Sequence, residues 1–315
     1  MNEIRCRLYR QDDEDEVLQL VRASLGATEV LPQTSETWRW KHFENPFGES
    51  LMVVAELDSR IAGVRPYLRW HLLTTEGRRL EALRAVDTAT HPEFRRRGVF
   101  RAMTTEANRL AQEANFDLVF NTPNDASRPG YLSMGWVTVG KPRLHARLRR
   151  PWAFFRRGVS GQVPSPDAVL EHAVAWTARE EFMDREPLGL RTERTPAYMH
   201  WRFARHPTVP YLAPVGTSSV VVRPNIRNGR TEIVVSELLR AEQDELISLI
   251  QTNRADYLVA SFRPGSPEER LIRNRRFFPV PRLGLTLVTL PLSSRASSAT
   301  EMASWDLSLG DLELM

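Results

Sequence analysis

Between Asp87 and Arg101 the chain reads Asp-Thr-Ala-Thr-His-Pro-Glu-Phe-Arg-Arg-Arg-Gly-Val-Phe-Arg, and no other stretch so narrows what it can build. Leu80 to Thr90, upstream, has the pattern of a strand. Downstream, Val99, Met103, Ala107, Leu110, Ala111 and Ala114 recur at helical spacing. A strand therefore passes through an arginine-rich loop with one glycine directly into an amphipathic helix. Successive backbone N–H groups at a helix start form a nest for an anion, and Gly98 permits the positive φ such a turn can require. Arginines beside it add charge-assisted bonds to phosphate oxygens. An exposed basic helix start is the plain alternative and a common one; the strand–loop–helix context favours a phosphate or pyrophosphate site.

Composition removes several other classes. With 315 residues, 42% hydrophobic and 26% charged, the chain is globular and long enough for two domains. The longest apolar candidate, Leu283 to Leu292, is interrupted by Thr, Gly and Pro and falls short of the ~18 residues that span a bilayer. The first sixteen residues are charged and lack an apolar stretch, so no signal peptide and a cytoplasmic location are expected. Cys6 is the single cysteine and the seven histidines lack ligand spacing, so no metal is expected. The formal charge is +4, and all but two of the 43 basic residues are arginine; this is a weak footprint for nucleic acid, and no nucleic-acid partner is expected.

Read along the chain, Ile4–Tyr9 forms a strand, Asp12–Ser24 a helix with Val17, Leu20 and Val21 on one face, and a second short helix starts near Thr34 and ends before Pro46. Met52–Glu56 and Arg60–Arg65 make a hairpin about Asp58-Ser59, followed by strands at Arg65–Thr74 and Leu80–Thr90. After the helix from Val99 come a strand at Phe116–Asn121, a short helix ending at Gly135 and a strand at Trp136–Gly140. Arg149 to Asp167, rich in Pro and Gly, has linker composition; its Arg149–Arg157 cluster with three aromatics reads as a solvated crossover.

The second half echoes the first. Thr34, Trp40, Lys41 and Pro46 recur 161 residues later as Thr195, Trp201, Arg202 and Pro207. Thr231–Leu238, Ala241–Thr252 and Asp256–Ser261 repeat the strand–helix–strand order of Leu80–Asn121, and Gly284–Leu290 supplies a closing strand. Two related α/β (α+β) domains in tandem are expected: 1–148, a linker at 149–167, 168–293, and a tail at 294–315.

Arg95-x-x-Gly98-x-Phe100 resembles the [Gln/Arg]-x-x-Gly-x-[Gly/Ala] pyrophosphate loop of the GNAT superfamily of acyl-CoA-dependent N-acyltransferases, departing only at Phe100. The segment from Asn121 to Trp136, with Asn124, Ser127, Tyr131 and Gly135, is similar to the family's fifth strand and following helix. The resemblance covers residues 4–148 well and the remainder only through the echo. It implies a mixed, mostly antiparallel twisted sheet flanked by helices in each domain, and an N-acetyltransferase that moves the acetyl group of acetyl-CoA to a primary amine by direct attack.

By the same resemblance, Arg95, Arg96, Arg97, Gly98, Val99, Phe100 and Arg101 hold the pyrophosphate. Thr88, Ala89 and Thr90 present backbone amides to the pantetheine and the thioester carbonyl. Tyr131 protonates the departing thiolate, with a packed core aromatic as the plain alternative. The acceptor amine must be neutral to attack, so a base or water relay is required; Asp87 is the candidate, and a structural hydrogen bond is an equally good reading of it. Asn124 and Ser127 either bind the pantetheine or cap the short helix.

The second half has no Arg-x-x-Gly loop between Leu238 and Ala241 and is expected to shape the acceptor site or brace the first domain. The tail from Trp305 to Glu313 is read either as returning over the active domain, where Asp311 or Glu313 could meet a cationic acceptor, or as a frayed end. The loop Arg95–Met103 also resembles that of the enhanced-intracellular-survival acetyltransferases, whose further sterol-carrier-like domain does not fit the roughly 25 residues after Leu290. A tandem-GNAT aminoacyl transferase using tRNA and a non-catalytic acyl-CoA sensor stand as alternatives. The acceptor, whether small molecule, amino sugar or protein amine, and the oligomeric state are not legible.

Overall fold

A computed structural model describes residues 3–25, 33–150, 170, 173–177, 186–214, 219–240, 243–281 and 284–312. Two mostly antiparallel sheets flanked by helices make up the architecture, as the sequence leads one to expect. In the first, β1 (Arg5–Leu8), β2 (Leu51–Leu57), β3 (Arg60–Leu73) and β4 (Arg79–Ala85) run antiparallel in that order. β5 (Leu118–Asn121) then joins β4 in parallel. Helices α1 (Glu14–Leu25), α2 (Ser35–His42), α3 (Val99–Glu113) and α4 (Arg128–Leu132) belong to this half.

Local chemistry explains the elements. Asp58 and Ser59 both take positive φ (54° and 61°), the twist a two-residue hairpin needs. α3 buries Val99, Met103, Ala107 and Ala111, and Gly63 lets it approach β3: a Cβ there would lie 2.7 Å from Met103 Cε. The expected break near Arg65 is absent, because β3 runs unbroken past Pro66. The expected strand Leu80–Thr90 instead stops at Ala85, and only Ala89–Thr90 rejoin a ladder, against β3. Asp87, with φ of 44°, marks this irregularity.

The second sheet carries β8 (Leu212–Pro214), β9 (Val220–Arg227), β10 (Arg230–Leu238) and β11 (Tyr257–Ser261), with α5 (Gln243–Thr252) and α6 (Pro267–Asn274). β10 and β11 pair in parallel, as β4 and β5 do. The β9–β10 hairpin turns on Asn228-Gly229, both at positive φ, and the Asn-Gly dipeptide is the sequence signal of such a turn.

Each sheet is completed by a strand from the other half. β7 (Leu144–Leu148) pairs with β11. β12 (Leu287–Pro291) lies between β5 and β6 (Val137–Gly140) in the first sheet. The closing strand expected for the second half thus closes the first, and the expected boundary at 148 falls after the chain has already crossed between sheets. Register is set by side-chain burial and not by nearness in sequence: Leu287, Val288 and Thr289 are fully buried where they sit. Of the expected linker, residues 151–167 lie outside the described residues; Arg149 and Arg150 donate their backbone N–H to the Asp256 carbonyl.

The sequence echo has a physical counterpart. Thr34 and Thr195 each cap a helix, accepting from the backbone N–H three residues on. Trp40 and Trp201 stack at 4.9 Å between centroids. Each indole N–H donates to the other residue's carbonyl, at 3.1 and 2.7 Å. This reciprocal pair sits in an apolar cluster that also takes in Trp70, Phe120, Leu239, Val259 and Trp305, so one core spans both halves.

Candidate functional site

The arginine-rich loop opens a cleft of about 350 Å³. Pro92–Phe94 form one turn, Arg96 takes φ of 63°, and Gly98 takes φ of 87° immediately before α3. A Cβ on Gly98 would meet nothing nearer than 4.0 Å, so it is the backbone angle that calls for glycine here. No side chain caps α3, which leaves its first amides for an anion. Of the candidates, Thr90, Arg95, Arg96, Gly98, Val99, Phe100 and Arg101 line this cleft, with Gly130 and Ser133 opposite. Arg97 is turned toward Asp58, 3.7 Å away. Asn124 and Ser127 bond each other: the Ser127 backbone N–H and hydroxyl both lie 2.9 Å from Asn124 Oδ1, and Ser127, at the N-cap of α4, makes no side-chain cap bond.

Tyr131 lies on α4, buried, with its ring against Phe100 and Trp136. Its hydroxyl oxygen accepts from Arg65 Nη1 at 2.6 Å and from Asn121 Nδ2 at 2.8 Å. Arg65, on β3, is fully buried and also donates to Thr88 Oγ1 at 2.7 Å. Its guanidinium lies over the rings of Tyr67, Tyr131 and Phe100 at 4.9, 4.9 and 5.5 Å. Sequence reasoning missed Arg65. Its signal was an arginine inside the apolar run Gly63-Val64-Arg65-Pro66-Tyr67.

A larger cleft of about 940 Å³ lies between the two sheets, and Asp87 and Asn121 line it. Asp87 Oδ2 is 2.8 Å from Lys41 Nζ and 3.3 Å from His42 Nε2. Burial alone would raise the Asp87 pKa, but the Lys41 charge and His42 outweigh it and hold the carboxyl well below the usual range. His42 is itself fully buried, and that burial pushes its pKa down.

A carboxyl with a depressed folded-state pKa contributes stability above its unfolded value, about 4, and loses that contribution as pH falls through the depressed value. Asp87→Asn is therefore expected to cost about 1–3 kcal/mol at pH 7. Its deficit against wild type should shrink in denaturant titrations carried below about pH 4. A pH-independent deficit would mean that ionisation of Asp87 is not what matters.

The C-terminal segment lies against β10 of the second sheet and reaches β4 of the first. Arg84, buried on β4, donates to the carbonyl oxygens of Asp311 and Leu312, and Leu309 and Leu312 line the larger cleft. The Asp311 carboxylate is buried, 3.2 Å from Arg194, and accepts from Ser308, so it is a structural group and not a cleft-lining one. Glu313 lies outside the described residues.

Among the described residues no group of three His, Cys, Asp or Glu could hold a metal ion, and no helix is long and apolar enough to cross a membrane. The family profile of the acetyltransferase (GNAT) domain matches residues 5–139. No curated protein matches the chain. Solved structures do. A conserved protein of unknown function from Enterococcus faecalis, titled a probable N-acyltransferase, superposes with a TM-score of 0.62 at 11% identity, over 92% of this chain and 73% of that one. Eis1 from Mycobacterium abscessus gives 0.59 at 15% identity, over 95% and 76%. A putative acetyltransferase from Pyrococcus horikoshii gives 0.55 at 12% identity, over 98% and 94%. At such identities the structures speak for the fold, which this chain shares along nearly its whole length. The profile match identifies residues 5–139, the segment that carries the loop, as a GNAT acetyltransferase domain.

Proposed function

We propose that the protein is an N-acetyltransferase that uses acetyl-CoA and a primary amine in one ternary complex. The observation that carries this is the α3 start: an uncapped helix N-terminus, two positive-φ residues before it, and Arg95, Arg96 and Arg101 around the same cleft. These residues suit a pyrophosphate, and acetyl-CoA supplies an activated thioester. Thr88, Ala89 and Thr90 follow the irregularity at Asp87 and would orient the carbonyl. As the amine nitrogen bonds to the carbonyl carbon and the C–S bond breaks, Tyr131 gives its proton to the leaving sulfur. Asp87, held by Lys41 and His42, is a weak proton acceptor, so the amine proton leaves through water and Asp87 keeps the Lys41 ammonium and the His42 ring in place.

Calorimetric titration tests the reading. Wild type should bind acetyl-CoA at micromolar strength, about −8 kcal/mol. Gly98→Asp and the Arg96→Ala/Arg97→Ala double variant should weaken it at least about tenfold, with Arg96 dominating because Arg97 points to Asp58. No heat with wild type would sink the cofactor assignment.

A non-catalytic acyl-CoA sensor is the second reading, and one observation favours it. Phe100 stands where the family motif has Gly or Ala, and its ring is packed at 5.4 Å from the Tyr131 ring, with Arg65 behind. Tight acetyl-CoA binding without thiol release from any amine would select this reading.

A further inference from the structure

We propose that the larger cleft takes an acceptor whose amine is carried on an apolar body, an alkyl chain or an aryl ring, and not a polycation. The amine rests on the acyl-transfer reading; the apolar body rests on the walls of the cleft. β7 and β11 run side by side along it, and alternate residues face it in cross-strand pairs: Leu144 with Ser261, Ala146 with Val259 and Leu148 with Tyr257. The opposite face of β11, with Leu258 and Ala260, is packed into the core of the second half. Apart from Ser261, β11 is thus apolar on both faces, as a strand covered on both sides is. One of those faces borders a cleft of about 940 Å³.

Two details mark that face as a binding surface. Leu148 and Leu285, which both line the cleft, are 53% and 41% exposed, so the apolar wall reaches its mouth. Apolar surface gathered around a concave site is the ordinary mark of a ligand pocket. The second detail is Ser261. It is buried, and its hydroxyl has no hydrogen-bond partner among the described residues. An unpaired buried hydroxyl is costly to keep, and a polar substituent on an otherwise apolar ligand would satisfy it.

The charged groups of the cleft are already engaged. Its carboxylates among the described residues are Asp87, 2.8 Å from Lys41, and Glu232, 3.2 Å from Arg227 and 2.8 Å from Asn225. Arg84 donates to the Asp311 and Leu312 carbonyls, and Arg223 and Arg230 have partners within the protein. A polyamine would have to break one of these pairs to gain a counter-charge, whereas an apolar body needs none. Asn121 lines the cleft and donates to the Tyr131 hydroxyl at 2.8 Å, so the β7 and β11 wall shares one space with the acyl-transfer end.

The test uses the full chain and four small probes: hexylamine, 2-phenylethylamine, ethanolamine and spermidine. Each is titrated calorimetrically into wild type and two variants. Ala146→Phe fills the wall between Leu144 and Leu148; Leu148→Gln/Leu285→Gln makes its exposed edge polar at positions where the fold does not depend on burial. Thermal melting of each variant reports that it is folded. One or both apolar amines should bind wild type at least about tenfold tighter than ethanolamine and spermidine, because each buried methylene adds affinity. Both variants should erase most of that margin. The tighter of hexylamine and 2-phenylethylamine assigns the body as alkyl or aryl. Ethanolamine or spermidine binding as tightly, no binding of either apolar amine up to about 10 mM, or an unchanged margin in either folded variant overturns the proposal. Thiol release from acetyl-CoA is then read with the same probes. Apolar-selective binding without thiol release upholds the cleft assignment and removes the acyl-transfer reading; thiol release with ethanolamine and spermidine, without apolar-selective binding, does the reverse.

Discussion

Expressed alone, residues 1–148 will give no cooperative thermal transition and will expose apolar surface to a reporter dye. The reason is the reciprocal strand exchange. Without β12, the parallel strand β5 becomes an edge, with Val119 and Phe120 deprived of their neighbour. Leu287 and Val288, both fully buried on β12, are each worth about 1.5–3 kcal/mol of burial. Loss of Trp201 unstacks Trp40 and orphans its indole N–H. Those losses approach the whole of a domain's usual ~5–15 kcal/mol. β7, meanwhile, would hang without β11, exposing His145, which is now fully buried. A fragment ending at residue 293 keeps both exchanged strands and should retain a transition, though lowered by loss of the segment that Arg84 holds. A sharp melt for 1–148 near that of the full chain would show that the exchanged strand is dispensable.

Tyr131→Phe is expected to lower kcat about 10²–10⁴-fold while leaving the affinity for acetyl-CoA nearly unchanged. The hydroxyl oxygen of Tyr131 already accepts two N–H bonds, from Arg65 and Asn121. Its own proton is therefore free to point to a leaving group. Two donors on the oxygen, one of them a guanidinium, stabilise the charge that develops as that proton departs. The substitution leaves both donors short of an acceptor, so a stability loss of about 1–3 kcal/mol accompanies it. The kinetic measurement, thiol release with an amine that wild type acetylates, is made well below the variant's melting temperature. An unchanged kcat would return Tyr131 to the role of packed aromatic.

The parts legible in the sequence were those written locally. The Arg95–Gly98 loop and the amphipathic spacing of α3 are properties of neighbouring residues, and they stand in the fold as read. The offset of 161 residues was legible too, and Trp40 and Trp201 meet across it. Strand partnership was not. β7 and β12 are each five residues long, and nothing in Leu144–Leu148 or Leu287–Pro291 says which sheet will accept them; that choice is made by long-range packing. Arg65 and Arg84 were hidden for another reason. Alternation within a strand treats a lone arginine as an outward-facing residue, whereas here both are buried over aromatic faces, Arg65 beside Tyr131 and Arg84 beneath the C-terminal carbonyls.

The exchange of β7 and β12 also has a meaning for descent. In a duplicated gene with separable copies, the copy that stops doing chemistry can be deleted without harm to the other. Here it cannot, because deleting the second half takes with it the strand that flanks β5 in the first. Selection on the first sheet therefore reaches the segment around Val288, fully buried beside β5. The second half is thus retained by the fold of the first, and its β9–β10 hairpin forms one wall of the cleft.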